Sequence, residues 1–69
     1  MTDLNAQLLA AHAEGDKLAL VTLYTQAADQ ARDTDTACFF LTHAFVFALE
    51  VDHADTNQLA KRLRHHGRL

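Results

Sequence analysis

"CFFLTHAFVFAL", residues 38–49, holds all four phenylalanines of this 69-residue chain, and ten of its twelve residues are apolar. Asp33 and Asp35 precede it, and Glu50 and Asp52 follow. The uncharged run between these acids is shorter than the about 20 apolar residues a membrane span needs. The segment therefore reads as a buried helix, and its surroundings must supply the cover.

Little chain is left to supply it. A domain of this length buries only about 60 % of its unfolded surface and is marginal unless a disulfide, a metal or a partner adds stability. One cysteine, Cys38, excludes an internal disulfide. It agrees with a reducing, cytoplasmic setting, and the opening "MTDLNAQ" has none of the features of a secretory signal.

Proline is absent and glycine occurs only at positions 15 and 67, so few breaks are forced. Outward from the phenylalanine segment, the apolar spacing predicts four helices in one domain, residues 1–69. The first runs from about Asp3 to His12, capped by Thr2 or Asp3, with Leu4, Leu8 and Ala11 in a stripe that Leu9 widens. The second, about Lys17 to Arg32, follows an Asp16 cap and carries Leu20, Leu23, Tyr24, Ala27, Ala28 and Ala31 at helical spacing. Asp33, Thr34 and Asp35 compete to cap the third, about Thr36 to Val51. "DHAD", residues 52–55, connects to the fourth, about Thr56 to His66, where Asp55 and Gln58 have the spacing of a capping box.

On a helical wheel the third helix is apolar almost all round. Ala37, Ala44 and Ala48 form a small-residue stripe suited to meeting the second helix. Cys38, Phe45 and Leu49 continue the apolar arc, Phe47 and Val51 extend it on the other side, and a mixed strip holds Phe39, Thr42, His43, Val46 and Glu50. Such a helix belongs at the centre of a bundle. Three short neighbours have too little apolar surface to cover Phe39, Val46 and Phe47 as well. Burying one Phe is worth roughly 1.5–3 kcal/mol, against a total stability of about 5 kcal/mol for so small a domain. We expect a second copy or another protein's helix on Phe39, His43, Val46, Phe47 and Glu50. The alternative is that helices one and four cover the strip within one molecule.

The first half also resembles a tetratricopeptide-type repeat, a helical hairpin of about 34 residues. "AEGDKLALVTLYTQAA", residues 13–28, is similar to that family's core, with Gly15 and Asp16 at the turn and Tyr24 and Ala27 on the second helix. Leu4, Leu8, Ala11, Leu20 and Arg32 depart from the residues the family favours, and the second half fits only after a shift of about four positions. The resemblance implies two antiparallel helical hairpins, a fragment of an α-solenoid, and a role in binding proteins or peptides.

Chemistry is sparse. His12, His43, His53, His65 and His66 show no i, i+3 or i, i+4 pair of the kind that ligates a metal. Cys38 and His43 lie on different sides of their helix. No phosphate loop or nucleophile elbow occurs, so no enzymatic activity and no cofactor are expected. All nine acids lie in residues 1–55, whereas Lys61, Arg62, Arg64 and Arg68 form a basic C-terminal end. That end suggests a second reading, a nucleic-acid-binding regulator. The net charge of −3 favours instead a charge that offsets the acidic body.

Overall fold

The computed structural model describes residues 3–69, and Thr2, the other expected cap of the first helix, lies outside them. The described chain is all-α: α1 Leu4–Glu14, α2 Lys17–Gln30, α3 Thr34–Glu50 and α4 Thr56–His65. Among the described residues, no helix is long and apolar enough to cross a membrane. α3 packs against both α2 and α4, and α1 packs against α2.

Local chemistry sets the helix ends. Asp3 accepts from the Asn5 N–H at 3.2 Å and Asp16 from the Ala19 N–H at 3.1 Å. Among the three candidates before α3, Asp33 is the cap: its backbone is extended (φ −132°, ψ 161°), and its Oδ1 accepts from the Thr36 N–H at 2.8 Å. The Thr36 hydroxyl donates to Asp33 Oδ2 at 3.1 Å. α3 therefore begins two residues before the expected Thr36, and α2 stops at Gln30, short of Arg32.

The capping box expected at Asp55 and Gln58 does not form. Asp55 sits at φ −86°, ψ 4°, close to helical backbone, and its side chain makes no cap bond. A capping residue typically leaves the helical backbone region, which lets its side chain reach the N2 or N3 amide. The start of α4 is held instead by His53. Its Nδ1 accepts from the Asp55 N–H at 2.9 Å, and its carbonyl accepts from the Thr56 hydroxyl at 2.7 Å. Because Nδ1 is an acceptor there, the 3.9 Å approach of Asp55 Oδ2 to the same atom is not an ion pair.

Three helices end in the same way. Gly15, Asp52 and Gly67 adopt positive φ (66°, 53° and 72°). In each case the next residue's N–H donates to a carbonyl five positions back: Asp16 to Ala11, His53 to Ala48 and Arg68 to Leu63. These are Schellman ends, which satisfy carbonyls that the helix leaves free.

The core lies beneath α3. Leu41, Ala44 and Ala48 are fully shielded from water, and Cys38 is nearly so. They meet Val21 and Ala28 of α2 and Leu59 and Leu63 of α4. The expected alanine stripe thus faces α2, and it faces α4 as well. Alanine at 44 and 48 leaves room for both neighbours to approach one helix.

Candidate interaction surface

The side of α3 turned away from α2 and α4 stays open. Phe39 is 59 % exposed, Val46 46 % and Leu49 56 %. With Asp35 and Thr42 they follow a spacing of 4, 3, 4 and 3 residues (35, 39, 42, 46, 49), which places them on one stripe. Leu49 is the residue that sequence reasoning missed, since on the wheel it continues the apolar arc of Cys38 and Phe45. α4, which would have to cover it, is only ten residues long and meets α3 through a narrow face of Leu59, Ala60 and Leu63.

Phe47 and His43 are placed differently from Phe39 and Val46. Both are partly buried, because Tyr24 of α2 stacks on them: its ring centroid is 5.1 Å from that of His43 and 6.0 Å from that of Phe47. His12 of α1 meets Phe47 edge-on at 6.0 Å, and its Nε2 is hydrogen-bonded to the Tyr24 hydroxyl at 2.8 Å. α1 therefore reaches α3 through aromatic side chains. His43 donates from Nδ1 to its own helix, to the Phe39 carbonyl, at 2.9 Å. Phe39 packs on Phe40 and on the His43 ring, with centroids 5.5 and 4.6 Å apart. Glu50 pairs with Lys17 at 3.0 Å.

The basic end is half engaged. Arg62 reaches Asp29 of α2 at 2.6 Å, and Arg68 reaches Asp35 at the start of α3. The Asp35 carboxylate holds the Arg68 guanidinium above its usual pKa, first through their hydrogen bond. Lys61 and Arg64 remain exposed. Among the described residues, no three of His, Cys, Asp and Glu stand together as a metal site requires. Cys38 is buried, 2 % exposed.

Two hollows border the stripe. One, about 520 Å³, is lined by Asp35, Cys38, Phe39, Thr42, His43 and Arg68. The other, about 230 Å³, is lined by Thr42, His43, Val46 and Phe47. Both are open; the larger joins the Phe39 ring to the charged Asp35 and Arg68, and the smaller is walled mainly by Val46 and Phe47. Compared with protein-family models, curated proteins and solved structures, the chain matches none.

Proposed function

We propose that this chain is a small, non-catalytic protein-interaction module that self-associates through α3. In this reading it works in the cytoplasm as a tetratricopeptide-like fragment of two antiparallel hairpins, α1–α2 and α3–α4, and needs no cofactor. The observation that carries the proposal is the exposure of Phe39, Val46 and Leu49 on one stripe of the most apolar helix. Contiguous exposed apolar surface marks interaction sites. His43, Phe47 and Glu50 form the stripe's flank, toward α2.

A second reading, nucleic-acid binding through Lys61, Arg62, Arg64 and Arg68, has less support, because two of those four charges are already paired with acids of the body. The test is the light-scattering mass of the wild type beside Phe39→Asp and Val46→Asp. A wild-type mass above that of one chain, falling to one chain in both variants with helicity intact, supports the module. Single chains throughout, with nucleic acid retained at low salt and released steeply as salt rises, would transfer the function to the basic end.

A further inference from the structure

Resting on the self-associating reading, we propose that the occupant of the stripe is α3 of a second copy, running antiparallel, with Phe39 opposite Leu49 of the second copy and Thr42 opposite its Val46.

Three observations select this partner and register. First, the 4-3-4-3 spacing is the seam of a two-helix coiled coil, in which one face of one helix meets one face of another. The stripe is one helix wide, because Cys38 beside it is covered by the protein's own core and His43 by Tyr24. Second, the seam is self-complementary about its middle. Residues 39 and 49, and residues 42 and 46, are equidistant from position 44. A two-fold axis at that level buries all four seam positions in both copies, as an isologous interface requires. It sets the two bulkier side chains, Phe39 and Leu49, against each other at each end and the two shorter ones at the centre. Leu49 of the second copy then enters the hollow of about 520 Å³ beside Phe39.

Third, the charges match. Asp35 with Arg68 stands at one end of the seam and Lys17 with Glu50 at the other. In this register Glu50 of the second copy comes level with Cys38, next to Arg68, and Lys17 of the second copy comes toward Asp35. Each end then gathers two acids and two bases. The seam itself holds no charge between Asp35 and Glu50, so nothing charged is stranded in the contact. Antiparallel helices also align their dipoles favourably.

The test uses Phe39→Cys and Leu49→Cys in the full chain with dibromobimane, which joins only thiols that come close together. The buried native Cys38 makes the wild type the background control, and circular dichroism checks folding. An equimolar mixture of the two variants is expected to give at least ten-fold more cross-linked dimer than either variant alone. Two copies offset by ten residues place like positions about 15 Å apart along the axis. Thr42→Cys and Val46→Cys, which leave Phe39 and Leu49 in place, should repeat the pattern with a mixture preference. Efficient cross-linking of Phe39→Cys alone would mean parallel pairing; it would overturn the register and leave self-association standing. A wild type that scatters as a single chain, with no product in any sample, would remove both.

Discussion

Lys17 Nζ lies 3.0 Å from Glu50 Oε2, joining the first residue of α2 to the last residue of α3. Each charge is at the wrong end of its own helix. A cation at an N-terminus and an anion at a C-terminus both oppose the helix dipole. The pair offsets two local penalties and ties the start of α2 to the end of α3. Its side chains are about half exposed, so its own worth is small, roughly 0.2–1 kcal/mol. Lys17→Glu alone should lower stability, since it sets two carboxylates together. The exchange Lys17→Glu with Glu50→Lys keeps the pair and puts both charges where the dipoles favour them. It should exceed wild-type stability by about 0.5–1 kcal/mol. Urea unfolding of the four proteins of the cycle checks this, and an exchange variant less stable than either single variant would refute it.

Asp33 predicts an acid-sensitive helix start. Its carboxyl is held below its usual pKa, first by the Thr36 N–H and then by the Thr36 hydroxyl. A carboxylate with a lowered folded-state pKa stabilises fully above its unfolded pKa, and that contribution disappears as pH falls through the folded value. Stability should therefore decline as pH drops below about 4. Asp33→Asn keeps an oxygen that can cap the helix and removes the titration, so its stability should depend less on pH in that window. Thermal unfolding at pH 3 and pH 7 measures it. An equally steep decline in Asp33→Asn would show that other carboxylates dominate.

Four helices and the Asp16 cap are legible in the sequence, with Asp3 as one of two candidates, because spacing and cap chemistry are local. So is the exposure of Phe39 and Val46, which follows from counting how much apolar surface short neighbours can supply. Leu49 was not legible: its shielding depended on where α4 lies, and that follows from tertiary packing, in which Leu59 and Leu63 share one core with Ala44 and Ala48. The aromatic cluster of His12, Tyr24 and Phe47 was hidden for the same reason. Its members come from three helices and share no local spacing. Asp55 misled because a capping sequence was present while the backbone φ and ψ that make it a cap were not.

Asp52 is the one residue other than glycine with positive φ among those described, at 53°, in the position that Gly15 occupies at the end of α1. Left-handed backbone costs a residue with a Cβ roughly 1–2 kcal/mol, less for Asp, whose short side chain tolerates it. Asp52→Gly should stabilise by about 0.5 kcal/mol, part of the relief being returned as unfolded-chain entropy. Gly15→Ala should cost about 1 kcal/mol through conformation alone, since a Cβ there would meet no atom within 4 Å. Opposite shifts in melting temperature are the expected result. A neutral Gly15→Ala would mean that the end of α1 rearranges at little cost.

Tyr24 should carry more stability through its ring than through its hydroxyl. The hydroxyl is bonded to His12 Nε2 in an exposed bond, so Tyr24→Phe should cost about 0.5–1 kcal/mol. The ring packs against Phe40, His43 and Phe47 together, with centroids 5.1–6.1 Å away. Tyr24→Ala removes that cover and should cost about 3 kcal/mol, the low end of the range for large aromatic truncations because the residue is only partly buried. It should also bare Phe47 and widen the apolar stripe of α3. Chemical denaturation gives the two stability losses. Binding of a dye that fluoresces on apolar surfaces should rise for Tyr24→Ala and stay at the wild-type level for Tyr24→Phe. Equal losses from the two variants would instead assign the main role to the hydroxyl and its contact with α1.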